Sequence, residues 1–171
     1  PNGDEKTEMK AYLHDLNELY RTYPALYSMD GNSDGFEWIQ FTSSDENIVA
    51  FLRKTEKKNE TLLVVCNFSP VSYDSYHVGV PFAGKYKEIF NSDNGKYGGQ
   101  GVINARAKAS VQEECDARKN SLKLKLPAYG VAVFTCTEEK IVGKTVEKAK
   151  ETATEKTSAV KKAVRKVTAR K

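Results

Sequence analysis

The segment Asp30-Gly31-Asn32-Ser33-Asp34-Gly35 sets three oxygen-bearing side chains at alternate positions, the spacing with which a calcium loop opens. The bidentate carboxylate due at the twelfth position falls on Phe41, which cannot coordinate, and no flanking helix pair is visible, so the segment reads as a polar turn. Gly95, Gly98, Gly99 and Gly101 invite a phosphate-loop reading, but the Gly-Lys-Ser/Thr ending is missing and no clear helix follows. The expected alternative is a loop with positive φ angles, ordered by packing of Tyr97. Carboxylates are plentiful, yet no pair stands out as an acid and a base, and a nucleophilic triad lacks a placed histidine.

Cys66, Cys115 and Cys136 are odd in number and widely spaced, which favours a reducing compartment over a disulfide scaffold. Cys66 and Cys136 lie in apolar runs, where buried inert thiols are expected; a bond between those two stays open at this level. His14 and His77 stand alone, so Cys and His supply no zinc site, and no metal site is expected. Asn59-Glu60-Thr61 and Asn67-Phe68-Ser69 match the glycosylation sequon, which has meaning only in a secreted chain. Trp38, Tyr73, Tyr76 and Tyr97 could stack on the flat apolar faces of sugar rings; the usual burial of aromatics favours filling a core or a domain contact.

Elements that would position these groups follow from periodicity. Leu62, Leu63, Val64, Val65 and Cys66 form an unbroken apolar run closed by Asn67 and Pro70, the pattern of a strand covered on both faces. Further strands are expected near Glu37–Thr42, Ile48–Arg53, Ser75–Val80, Lys85–Asn91, Ser121–Leu126 and Val131–Cys136. Leu122, Leu124 and Leu126 alternate with Lys123 and Lys125, as in a strand with one wet face. Residues 102–120 give no clear period. Upstream, Thr7 is the expected cap of a helix carrying Met9, Tyr12, Leu13, Leu16, Leu19, Tyr20 and Tyr23 on one face, with Pro24 bounding it. That stripe is wider than a surface helix needs.

The formal net charge of +4 is unevenly spread. Residues 1–137 carry 16 Lys/Arg against 18 Asp/Glu, whereas residues 138–171 carry 11 against 5. The tail has no Trp, Phe or Tyr to stack or insert, so it reads as a solvated charge run, weakly helical or disordered, and neither nucleic acid nor membrane is expected as a partner. No run reaches the roughly 18 apolar residues of a membrane helix, and no signal segment leads the chain. A start at Pro1 suggests a chain cut from something longer. The domain organisation expected is 1–35 helix and connection, 36–137 an all-β domain, and 138–171 a Lys/Ala/Thr/Glu-rich tail. The fold class is mainly β: an antiparallel sandwich preceded by one amphipathic helix.

Several motifs in order carry a resemblance. They are Asp15-Leu16-Asn17-Glu18-Leu19-Tyr20-Arg21, Tyr23-Pro24-Ala25-Leu26, Gly35-Phe36-Glu37-Trp38-Ile39, Phe51-Leu52-Arg53 and Leu63-Val64-Val65-Cys66-Asn67-Phe68-Ser69-Pro70. Val78-Gly79-Val80-Pro81, Gly84-Lys85-Tyr86, Phe90-Asn91-Ser92-Asp93, Tyr97-Gly98-Gly99 and Leu124-Lys125-Leu126-Pro127 continue it. Over residues 9–137 the chain resembles the C-terminal end of bacterial glycogen branching enzymes, 1,4-α-glucan branching enzymes of the α-amylase superfamily (glycoside hydrolase family 13). The resemblance implies that residues 9–23 are the last helix of a (β/α)₈ barrel, and that about 36–137 form the α-amylase-type C-terminal domain. A barrel takes roughly 250 residues, so the catalytic carboxylates are expected upstream and no catalytic residue is assigned here. The implied parent activity is transfer of α-1,4-glucan segments to 6-hydroxyls through a covalent glucosyl-enzyme, with no cofactor. Implied partners are the missing barrel and α-glucan or glycogen, in the cytoplasm. Trp38 and Tyr97 are the expected glucan contacts, and a non-catalytic glucan-binding module is the alternative.

Overall fold

The computed structural model of the chain describes residues 3–41 and 45–139. In chain order these form helix α1 (Gly3–Thr22) and strands β1 (Phe36–Gln40), β2 (Ile48–Arg53), β3 (Leu62–Asn67), β4 (Tyr73–Val80), β5 (Gly84–Asn91), β6 (Lys108–Ala109), β7 (Asn120–Leu126) and β8 (Gly130–Glu138). A six-stranded sheet has the order β1-β2-β3-β8-β5-β6, and β4 with β7 makes a second, two-stranded sheet; every pairing is antiparallel.

The unbroken apolar run of β3 takes its place between β2 and β8, with both faces covered. Side chains alternate across a strand, so Leu63 and Val65 point one way and Leu62 and Val64 the other. Leu63 and Val65 join Ile48, Ala50, Leu52, Val78, Tyr86, Leu122, Leu124, Leu126 and Phe134 in the core between the sheets. Leu62 and Val64 join Phe90 and Val133, under Leu19 of α1 and Ala25 of the turn that follows it. The sheet therefore serves two separate cores. The expected alternation of β7 is also observed: Leu122, Leu124 and Leu126 are fully buried while Lys123 and Lys125 are exposed.

One expectation is corrected, and two readings left open by the sequence are decided. Thr7 does not cap α1, which begins at Gly3 and carries Thr7 inside it. Glu5 adds negative charge to a first turn whose free N–H groups favour it, so the helix extends upstream of the residue that looked like a cap. Of the residues with no clear period, Lys108 and Ala109 pair with Lys85 and Tyr86, and Val111 bridges to Ser121. A Cys66–Cys136 bond is excluded, because Cys66 packs on the helix side of the sheet and Cys136 lies in the core between sheets. Of the Lys/Ala/Thr/Glu-rich tail, Glu138 ends β8 and residues 140–171 lie outside the described residues.

Candidate functional site

Strand register builds an apolar row across five strands on the helix side: Trp38 opposes Phe51, Phe51 opposes Val64, Val64 opposes Val133, and Val133 opposes Phe90. Helix α1 covers the Val64, Val133 and Phe90 part of the row and not the Trp38 end. Tyr12 and Leu19, seven residues apart and so on one helical face, pack there. The neighbouring stripe of Met9, Leu13, Leu16 and Tyr20 faces outward, between 39% and 58% exposed. Between that stripe and the sheet runs a trough of about 380 Å³ lined by Leu16, Leu19, Tyr20, Leu26, Phe51 and Val64, among others. Arg53 closes one side of it, donating from Nε to Ala25 O and from Nη2 to Leu26 O (3.2 Å each) and pairing with Asp30.

The two expected glucan contacts lie at opposite ends of this row. Trp38, on the edge strand β1, is 46% exposed and touches Phe36, Phe41 and Phe51 at ring-centroid distances of 4.9, 5.7 and 5.9 Å. Tyr97 packs edge-on against Tyr12 at 5.2 Å and beside Phe90 at 5.9 Å, and its hydroxyl donates to Asp15 Oδ2 at 2.8 Å. Lys96 Nζ reaches the same Asp15 oxygen at 2.5 Å. Hydrogen bonds from Lys96, then His14 and Tyr97, hold the Asp15 carboxyl well below the usual carboxylate range. Tyr97 is thus tied to α1, whereas the Trp38 ring is packed among other aromatics and half exposed to solvent. Tyr73 and Tyr76 belong to the core between the sheets, 5.2 Å apart, and the Tyr76 hydroxyl lies 2.7 Å from Gln40 Oε1.

The loops that resembled ligand sites are closed on themselves. Asp30 is paired with Arg53, and Asn32 Oδ1 accepts from Asp34 N at 2.9 Å, so two of the three oxygens in the calcium-like turn are engaged. In the glycine-rich loop the Asp93 carboxylate accepts from Gln100 N at 2.9 Å and Val102 N at 2.8 Å, standing where an external anion would sit. Gly98 and Gly101 take φ of 81° there, the left-handed conformation that glycine tolerates without strain. Among the described residues no group of three or more His, Cys, Asp or Glu is placed to hold a metal ion.

Nucleophiles are equally unsuited to chemistry. Burial raises all three thiols, Cys115 to about 11 and Cys136 to about 12, so thiolate is scarce at neutral pH. His77 Nε2 lies 2.6 Å from Ser121 Oγ, an arrangement that the isolated position of His77 in sequence did not suggest. Glu113 approaches that same nitrogen at 3.8 Å rather than Nδ1, and Ser121 has no exposed surface. A relay needs the carboxylate on the other ring nitrogen and an accessible hydroxyl, so this contact joins β4 to β7 and does not activate a nucleophile. Sequence reasoning also passed over Phe68 and Tyr129, two exposed loop aromatics. Their only advance signal is an aromatic residue in an uncharged stretch between strands.

Comparison with known proteins fits this geometry. The family described as "Alpha amylase, C-terminal all-beta domain" matches residues 38–137. The chain is 43% identical over 123 residues to 1,4-alpha-glucan branching enzyme GlgB of Oceanobacillus iheyensis, covering 72% of this chain and 19% of that protein. It is 46% identical over 126 residues to GlgB of Synechococcus elongatus (74% and 16%), and 40% over 139 residues to GlgB of Trichodesmium erythraeum (81% and 18%). The chain therefore spans less than a fifth of the length of these curated relatives. With the family's pattern running from Trp38 on the edge strand to Thr137 in β8, the chain belongs to the α-amylase C-terminal all-β domain family.

Proposed function

We infer that this chain is the C-terminal part of a cytoplasmic 1,4-α-glucan branching enzyme, inactive alone, whose role is to hold the catalytic barrel. The observation that carries this reading is the uncovered stripe of Met9, Leu13, Leu16 and Tyr20 beside the apolar trough. A contiguous apolar surface of this kind needs a partner, and a barrel strand layer packing on the outer face of α1 would bury it. Branching by double displacement needs two close carboxylates in one cleft. In this reading they belong to the barrel, and this chain supplies neither.

The test is an amylose branching assay followed by iodine absorbance. The 171-residue chain alone leaves the spectrum unchanged. A chimera of the Oceanobacillus iheyensis enzyme, with its matching segment replaced by residues 9–137, branches amylose. Branching by the isolated chain, or a folded but inactive chimera, overturns the reading. A second reading, a glucan-binding module acting through Trp38 and Tyr97, is favoured by the exposed ring of Trp38 on the edge strand. Affinity electrophoresis in glycogen separates the two, with Trp38→Ala abolishing retardation if the second holds.

A further inference from the structure

At one end of the sandwich the β3–β4 loop and the β7–β8 turn meet. They carry two rings that neither core uses: Phe68 is 64% exposed and Tyr129 is 72% exposed. Isolated exposed aromatics need no explanation; the way these are held does. Asn67, only 1% exposed, donates from Nδ2 to Val71 O and Pro127 O at 2.8 Å each. Its Oδ1 accepts from Ser69 N at 2.9 Å and Ser69 Oγ at 2.8 Å. Tyr129 N donates to Ser69 O at 3.0 Å, Ala128 N to Ser72 Oγ at 3.0 Å, and Phe68 N to Asn47 O at 2.9 Å. Both loops are cross-braced, so the two backbones that carry the rings are fixed before any ligand arrives.

Tyr129 also has a φ of 47°, a left-handed conformation that is unfavourable for a bulky side chain. Glycine there would remove the strain. A tyrosine kept in that conformation and turned to solvent contributes something other than stability.

Charge narrows the ligand. No Asp, Glu, Lys, Arg or His occurs from Cys66 to Tyr73 or from Leu126 to Thr137. A phosphate-bearing ligand, a nucleic acid or an anionic membrane would be met by cations. What this tip offers is two flat apolar rings and the hydroxyl of Tyr129, with the exposed Ser72 in the same loop. Those groups suit a neutral sugar chain, whose ring faces are apolar and whose edges are hydroxylated. The geometry points to Phe68 and Tyr129 as a stacking surface for a neutral α-glucan chain, separate from the Trp38 edge. This rests on the reading that the parent protein handles α-1,4-glucan.

The test is affinity electrophoresis of the full chain in glycogen, with maltoheptaose calorimetry at low and high salt. Wild-type chain is retarded, and its affinity is unchanged by salt. Phe68→Ala and Tyr129→Gly each weaken binding about tenfold, the scale of losing one aromatic stacking partner. Tyr129→Gly melts at or above the wild-type temperature, so lost binding is not lost folding, and Tyr129→Trp retains binding. Unretarded wild type, full binding by Tyr129→Gly and Phe68→Ala, or loss confined to Trp38→Ala overturns the assignment. Salt-sensitive binding overturns it as well. The chimera's branching activity is scored separately, so a tip that fails to bind leaves the branching reading to stand or fall by its own assay.

Discussion

Replacing Asn67 by alanine tests how the loop end is held. The amide satisfies two carbonyls, Val71 O and Pro127 O, and accepts from Ser69 N and Ser69 Oγ, all within 2.9 Å. The serine hydroxyl can rotate to another partner, and Val71 O lies in a partly open position. Pro127 O and Ser69 N sit in buried bonds and would be left unpaired. Each of the two buried orphans costs about 1–3 kcal/mol, so the variant should lose about 2–6 kcal/mol. With a urea m-value of about 2 kcal/mol per molar, the unfolding midpoint falls by about 1–3 M. Asn67→Asp sharpens the assay: it keeps an acceptor for Ser69 but sets a second oxygen against two carbonyl oxygens. Those oxygens and burial raise the folded-state pKa of the new carboxyl, so its cost grows as pH rises and shrinks when protonation restores a donor. A loss below about 1 kcal/mol in Asn67→Ala would refute the reasoning, since it would mean that water replaces the amide.

Three further outcomes are expected. Because the Asp15 carboxyl is held below its ordinary value, its stabilising contribution is complete above about pH 4 and is lost as pH falls through the folded-state value; Asp15→Asn therefore flattens the acid limb of a melting-temperature profile. Tyr86→Phe removes a hydroxyl that donates to Phe82 O at 2.7 Å in a fully buried position, and equilibrium unfolding should register a loss of about 1–2 kcal/mol. Leu16→Lys on the exposed stripe should change the stability of the isolated chain by no more than about 0.5 kcal/mol. The same substitution in the branching chimera should abolish activity, and a fully active chimera would remove the barrel from that face.

The strands were legible where burial imposes a period. Leu122, Leu124 and Leu126 announce a strand with one wet face, and the run from Leu62 to Cys66 announces one with none. Residues 102–120 were not legible, because side chains hold much of that segment. Asn104 Nδ2 donates to Glu88 Oε2 at 2.7 Å and to Lys125 O at 2.9 Å, and its Oδ1 accepts from Lys125 N at 2.8 Å. Such bonds leave no hydrophobic alternation to read. Composition alone also could not separate Trp38 from Tyr97. One is a half-exposed ring on an edge strand and the other a tether for a helix, a difference set by what α1 covers. Phe68 and Tyr129 stayed invisible for the same reason, since exposure is decided by which loops meet.

The six-stranded sheet acts as a partition. Its two cores share no residue, one holding the two-stranded sheet and the other holding α1. Substitutions on opposite faces should then add without coupling, as expected for residues with no common partners. Opening of the helix side can occur as a sub-global event while the amides of β4 and β7 stay protected. Selection on whatever docks at the trough can accordingly reshape one side of this domain without disturbing the packing that keeps the other side folded.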